Sequence, residues 1–295
     1  MKNEKKVFAL GFFDGVHVGH QALLRQCVRL ADERNCQAGA ITFDTHPEAL
    51  TTGKAPSLLN TGADRLRLLR RYGMGPVYTF YFNDETRRMP WQDFFRVLLD
   101  HGAAGVVCGS DFRFGYRGQG DAEKLAAACA GASIPCVVVP EQTLEGMRIS
   151  STYIRALLEA GDMDTAVRFL GHPHILTGTV VSGRRLGRTL GIPTANLRLP
   201  EGLLAPRFGV YACRVTVDGR QWEAVANVGT RPTVNGRHVT VEPWLLDFEG
   251  DLYGREITLE FYRFLRPERK FDSLEALREE IQENAAQTRK FFEKA

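Results

Sequence analysis

Two stretches of this 295-residue chain place phosphate-handling residue types at chemically useful spacing. The first is Gly11-Phe12-Phe13-Asp14-Gly15-Val16-His17-Val18-Gly19-His20, which follows a short apolar run and opens an amphipathic one. Glycines at such a junction let backbone N–H groups approach phosphate oxygens, and a helix N-terminus adds partial positive charge. His17 and His20, three positions apart, can face the same phosphoryl group. There they would stabilise charge growing on a nucleotide's α-phosphate without any covalent intermediate. Either histidine alone would be an ordinary surface side chain; the spacing carries the signal.

The second stretch runs from Gly178 to Asn196. Gly183, Gly187 and Gly191 lie among Arg184, Arg185 and Arg188, and Pro193 fixes the turn before Thr194 and Asn196. It is not a Walker A loop, since no G-x-x-x-x-G-K-[ST] occurs in the chain. Thr194 and Asn196 offer the side-chain oxygens that Mg²⁺ prefers, while loop amides and arginines offset phosphate charge. Further on, Glu242 is a carboxylate in the mostly apolar run Val239 to Phe248. In that setting it is expected to be half-buried and suited to general-base work. Pro243 beside it implies a strand edge or bulge. A third group, Arg148 with Ser150-Ser151-Thr152 and Arg155, joins hydroxyls suited to a helix N-cap with planar donor forks suited to phosphate.

The elements that must hold these groups fall into two patterns. In the first half, short β-rich runs (Lys6 to Leu10, Gln37 to Phe43, Pro76 to Phe82, Gly105 to Gly109, Pro135 to Pro140) alternate with helical ones. The helical runs are His20 to Arg34, Asp64 to Tyr72, Trp91 to His101 and Ala122 to Ala130. That alternation predicts βαβ crossovers and a doubly wound α/β fold with a parallel sheet, whose ligand crevice lies at the end of the first strand. Two more helices, Ser151 to Ala160 and Asp162 to Leu170, close this half. After Gly171-His172-Pro173-His174 the runs become strand-like with turn punctuation, which predicts a small antiparallel β-barrel. A final helix is expected over Ser273 to Phe292, with Asp272 as its N-cap and Glu279, Glu280, Glu283 and Lys290 on a solvated face. The domains are therefore placed at 1–171 and 172–295.

Composition narrows the function classes. Thirty-eight basic against 35 acidic residues leave a formal charge of +3, too small and too evenly spread for a nucleic-acid-binding face. No apolar run approaches the length of a membrane span, and the N-terminal apolar stretch is broken too early for a signal peptide. The six cysteines form no C-x-x-C pair, so reduced thiols in a cytoplasmic protein are expected rather than zinc or disulfides. His172 and His174 lack neighbouring ligands and are not read as a metal site. Oligomer formation is compatible with the sequence but not implied by it.

The run G-x-F-D-G-x-H-x-G-H resembles the signature of the nucleotidyltransferases of the HxGH type. Gly109-Ser-Asp111-Phe-Arg-Phe-Gly115 and Arg148-Ile-Ser150-Ser151-Thr152-Tyr-Ile-Arg155 are similar to two further motifs of the prokaryotic bifunctional riboflavin kinase/FAD synthetases. G-R-x-L-G-x-P-T-A-N, ending at Asn196, closely resembles the riboflavin kinase signature. The resemblance spans nearly the whole chain. It implies a riboflavin kinase-like barrel that makes FMN from riboflavin with ATP and Mg²⁺, and an N-terminal domain that makes FAD from FMN and a second ATP, releasing pyrophosphate. Small-molecule substrates are the partners it implies.

Residue by residue, the resemblance makes His17 and His20 the groups that polarise ATP phosphates. Gly11, Phe12, Asp14, Gly19, Asp111, Arg148, Ser151, Thr152 and Arg155 would surround that nucleotide. In the second half, Gly183, Gly187, Arg188, Gly191 and Pro193 would hold phosphate, Thr194 and Asn196 the metal, and Glu242 would be the base. Two departures stand out. Many family members have Asn where Phe12 stands, and Pro243-Trp244 differ from the commoner residues after the Glu. Backbone amides are expected to do most of the contacting at Phe12, so adenylyl transfer should survive.

Overall fold

The computed structural model describes residues 4–83, 85–181, 192–233 and 236–294. The chain folds as two compact units, Met1–Ser57 with Arg65–Ser151, and Leu58–Asp64 with Thr152–Ala295.

In the first unit, five parallel strands lie in the order β3-β2-β1-β4-β5. They are β1 (Lys6–Leu10), β2 (Gln37–Phe43), β3 (Val77–Phe80), β4 (Ala103–Gly109) and β5 (Cys136–Val139). Helices α1 (Val18–Glu33), α2 (Pro47–Thr52), α3 (Gly62–Arg71), α4 (Trp91–Asp100) and α5 (Ala122–Gly131) intervene along the chain. The expected doubly wound sheet is thus present. β1 lies between β2 and β4, where the strand order reverses, so the crevice opens beyond Leu10 and Gly109. All five residues of β1 are buried, as required of a central parallel strand covered on both faces. Phe8, Leu10, Phe43, Phe94, Val106 and Leu125 pack into one core, which anchors the strand carrying the glycine run. Thr143–Leu144 (β6) and Met147–Arg148 (β7) form a small antiparallel hairpin absent from the sequence reading. Two-residue strands have too little periodicity to be read.

In the second unit, six antiparallel strands lie in the order β8-β13-β10-β11-β12-β9. They are β8 (His174–Thr179), β9 (Leu197–Arg198), β10 (Gly209–Val217), β11 (Arg220–Thr233), β12 (Gly236–Leu245) and β13 (Glu256–Pro267). Val181, just past β8, donates its N–H to Asn196 O at 2.9 Å, just before β9. This bond nearly closes the sheet into the expected barrel and removes an exposed edge. Tyr211, Cys213, Leu259 and Phe261 fill its interior.

Helices α6 (Ser151–Ala160), α7 (Met163–Leu170) and α8 (Leu274–Phe292) complete the chain. Ala285 of α8 packs with Val210, Val225 and Leu246. The N-cap of α8 is Ser273, whose hydroxyl accepts from Ala276 N–H at 3.1 Å, and not Asp272. Glu280 is also not on a solvated face: it pairs with Arg266 at 2.8 Å and with Arg269. All six cysteines are free thiols. Among the described residues no helix is long and apolar enough to cross a membrane, and no cluster of metal ligands occurs.

His174 shows the cost of burying an imidazole. It is 2% exposed, its ring lies 5.7 Å from that of Phe261, and its Nδ1 has no partner among the described residues. Burial, with the nearby His172, pulls its pKa down to about 4. The unfolded chain therefore takes up a proton below its ordinary value of 6.5 that the folded chain refuses until about 4. Stability should fall as pH drops across that window, by on the order of 3 kcal/mol from this group. Urea midpoints at pH 7 and pH 5 test this. His174→Leu, which cannot titrate, should show a smaller difference between the two midpoints than the wild type.

Candidate active sites

The first site is built where β1 ends. Phe13 takes a left-handed conformation (φ 61°), and a 3-10 turn over Asp14–Val16 then leads into α1. Gly15 (φ 79°) has no side chain to obstruct this path, whereas Val16 (φ 40°) is β-branched and strained there. The helix starts at Val18, earlier than its apolar periodicity indicates, because His17 is the N-cap: its Nδ1 accepts from His20 N–H at 3.3 Å. An accepting Nδ1 puts the proton of the neutral ring on Nε2. The rings of His17 and His20 are stacked, with centroids 3.6 Å apart and planes 13° from parallel. A Cβ on Gly19 would lie 3.2 Å from His17 Nδ1, so the glycine makes room for the pair.

His20 is half-buried, and its Nδ1 has no partner among the described residues. Burial holds its pKa well below the usual imidazole value, and the neighbouring His17 and Arg65 push the same way. At neutral pH the ring is therefore an uncharged hydrogen-bonding group near the cationic Arg65, a setting that favours an anionic ligand.

One other motif reaches this loop through Ser151. Ser151, at the start of α6, donates its hydroxyl to Asp14 O at 3.0 Å, which ties the third motif to the first. Arg155 is half-buried one turn further along the same helix, and Thr152 is exposed. Gly109 ends β4, and the exposed Asp111 accepts from Arg148 at 3.5 Å; Arg148 also pairs with Glu141 at 2.6 Å. Phe12 has a defined place. Its carbonyl accepts from Thr42 Oγ1 at 2.9 Å, its ring meets that of His46 edge-on at 4.8 Å, and the guanidinium of Arg65 lies 4.2 Å above its centroid. Sequence reasoning missed Arg65. It sits in an amphipathic helix that belongs to no motif, and no local pattern showed that it would be buried.

The second site lies on the barrel. Pro193 is exposed, Thr194 half-buried and Asn196 6% exposed. Gly183, Gly187, Arg188 and Gly191 lie outside the described residues. The segment is anchored to β12 by Ala195 N–H donating to Pro243 O at 2.8 Å. β9 and β12 pair Leu197 with Val241 and Arg198 with Thr240, so continuing that register sets Asn196 opposite Glu242. On the other side of β12, Glu242 is paired with Asn227 of β11. Cross-strand partners share a face with Cβ atoms about 5 Å apart. Asn196, Glu242 and Asn227 therefore form a row across adjoining segments.

Glu242 is half-buried, as expected, and accepts from Thr240 Oγ1 at 3.4 Å. Asn227 Nδ2 donates to Glu268 Oε1 at 3.3 Å, which brings a second carboxylate to the same face. The C=O of Pro243 faces the strand-edge segment at Ala195 rather than β11. In an antiparallel strand the N and C=O of one residue point the same way, so the missing proline N–H breaks no β11 bond. Asn196 Oδ1 is buried with no partner among the described residues. An unsatisfied buried carbonyl oxygen beside a carboxylate is the kind of donor a hard cation needs.

A parallel α/β unit with a histidine pair at its switch point and an antiparallel barrel with an oxygen-rich row, carried on one chain, define a two-domain phosphate-transfer enzyme. Comparison with known proteins identifies its family. The FAD synthetase family model matches residues 1–153 and the riboflavin kinase family model residues 170–292. The bifunctional riboflavin kinase/FMN adenylyltransferase of Listeria monocytogenes is 35% identical over 293 residues, covering 98% of this chain and 93% of that protein. The enzyme of the same description from Pseudomonas fluorescens is 38% identical, covering 96% and 92%. A solved structure from Streptococcus pneumoniae, described as a macrolide-efflux protein, is 31% identical with a TM-score of 0.87. It covers 98% of this chain and 95% of that one, and its efflux description stays with that protein.

The chain belongs to the bifunctional riboflavin kinase/FAD synthetase family. Its C-terminal part is the riboflavin kinase and its N-terminal part the FMN adenylyltransferase.

Proposed function

We propose that the chemistry is carried by two separate residue sets, with the division of labour at residues 171 and 172. In the barrel, Glu242 accepts the proton of riboflavin's primary 5′-hydroxyl as its oxygen attacks the γ-phosphorus of ATP. ADP leaves and FMN is formed. The single observation that carries this reading is the row Asn196–Glu242–Asn227, which sets a base beside an unsatisfied oxygen donor. Thr194 and Asn196 would hold the Mg²⁺ that accompanies ATP. When bound, that ion neutralises charge on the phosphates. The resemblance assigns phosphate binding in the same reaction to Gly183, Gly187, Arg188 and Gly191.

In the N-terminal part of the chain, residues 1–171, the phosphate oxygen of FMN attacks the α-phosphorus of a second ATP, and pyrophosphate leaves. The attacking phosphate is already anionic, so no general base is required. His17 and His20 donate to the phosphoryl group as its charge grows, and Ser151 and Arg155 hold the phosphate tail. Gly11, Phe12, Asp14, Gly19, Asp111, Arg148 and Thr152 shape the surrounding loop. Positioning and charge stabilisation supply the rate. Phe12 does not undermine this, because the groups that face the phosphate are the histidines and loop amides.

Incubation with riboflavin, ATP and Mg²⁺, followed by chromatographic separation, tests the proposal. FMN should appear first and FAD after it. FMN without FAD would reduce the first unit to a relic, and flavin binding without ATP consumption would make the chain a sensor. Asn196→Ala should lower FMN formation at least about tenfold and raise the Mg²⁺ concentration needed, as loss of a ligand does. Conversion of supplied FMN to FAD should be unchanged.

A further inference from the structure

We propose that Arg65 is a phosphate-binding residue of the adenylyl-transfer site, complementing the charge of an anionic substrate beside His17 and His20. The proposal rests on reading the histidine pair as the nucleotide site.

Arg65 stands in the first turn of α3 and is only 5% exposed. A guanidinium cannot shed its proton to escape a low-dielectric site, so burial there demands a counter-charge or a full set of acceptors. Arg65 has neither. One Nη donates to Phe43 O at 2.9 Å, the guanidinium carbon lies 4.2 Å from the centroid of the Phe12 ring, and Nε is buried without an acceptor. Among the described residues no carboxylate forms an ion pair with it. Burial lowers its pKa, and the charges of Asp14 and Asp44 offset that only in part.

An anion that would complete the pairing has an evident place. Phe12 follows Gly11 at the end of β1, within the phosphate loop, and the Arg65 charge is felt by His20. Stacking on Phe12 fixes the guanidinium plane, so little side-chain freedom is lost when a phosphate docks on its fork. The aromatic residue that departs from the family pattern thereby acquires a purpose, as a platform that orients the arginine. The phosphate could belong to the triphosphate of ATP or to FMN, and the two sources separate in the measurement.

Full-length Arg65→Met and Arg65→Lys are assayed for FMN adenylylation with ATP and FMN varied in turn, and with inorganic pyrophosphate as inhibitor. A rise of about tenfold or more in KM for ATP and in the pyrophosphate inhibition constant assigns Arg65 to the triphosphate. A rise confined to KM for FMN assigns it to the flavin phosphate. Either result supports the proposal. Lysine, which keeps the charge but loses the fork, should restore part of the loss. Should Arg65→Met fail to fold, Arg65→Lys alone decides, with a KM or inhibition constant raised at least about threefold as the supporting result. All constants within twofold of wild type, or a fall in kcat alone, would overturn it. His20→Ala run in parallel separates the two levels of argument. If it keeps adenylylation, the reading of the whole site fails; if it loses activity while Arg65 variants bind normally, only the Arg65 assignment falls.

Discussion

Glu242→Gln should abolish FMN formation from riboflavin while leaving conversion of supplied FMN to FAD at the wild-type rate. Glutamine keeps the shape of the side chain and can still take part in the hydrogen bond with Thr240, so β12 and its pairing with β11 should persist. What it cannot do is accept the proton of the 5′-hydroxyl. A primary alcohol is a poor nucleophile at neutral pH until its proton has somewhere to go, and a positioned base contributes about 10²- to 10⁴-fold to such a step. Loss of that size, seen in kcat with KM for riboflavin little changed, would mark Glu242 as acting on the reacting hydroxyl rather than on flavin binding. Thermal melting of the variant checks that the barrel remains folded.

His20→Ala should do the reverse, removing FAD formation by about 10²- to 10³-fold while FMN accumulates at the normal rate. The stacked pair explains why the effect should exceed that of one ordinary hydrogen bond. His17 is held by the N–H of His20 and by the close fit of Gly19, and His20 is kept uncharged chiefly by burial, with the charge of Arg65 acting the same way. Both rings are therefore preorganised for a ligand that brings negative charge. Removing one ring leaves a gap against the other and loosens its aim. His17→Ala should fail similarly, with some loss of stability in addition because α1 loses its cap, a change that typically costs about 1 kcal/mol.

Much of this architecture is legible in the residues. The βαβ alternation sets out β1 and β2 at their observed bounds, and the change of pattern after Gly171 marks the barrel strands. His17, His20, Asn196 and Glu242 stand out because their neighbours are glycines, a proline or apolar residues, so their chemistry has no bland competitor nearby. What escapes reading depends on distance in the chain. Arg65 is brought beside Phe12 by the packing of α3, and Glu268, the residue after β13, reaches Asn227 of β11 from far along the chain. Neither has a local signature. The capping of α8 by Ser273 rather than Asp272 turns on which side chain faces Ala276 N–H, and backbone geometry alone settles that. The hairpin β6–β7 is too short for alternation, and α2 is a six-residue helix started by His46 and Pro47 in a segment that reads as a loop.

The central claim is that one polypeptide holds two catalytic centres that work independently on the same flavin, linked only by the release of FMN. Mixing equal amounts of Glu242→Gln and His20→Ala with riboflavin, ATP and Mg²⁺ tests it most directly. Each variant alone should make no FAD from riboflavin, and the mixture should make it, because FMN released by one protein is adenylylated by the other. A mixture that stays silent, although each folded variant still performs its own half-reaction, would show that the two centres cannot exchange FMN through solution and would contradict the account.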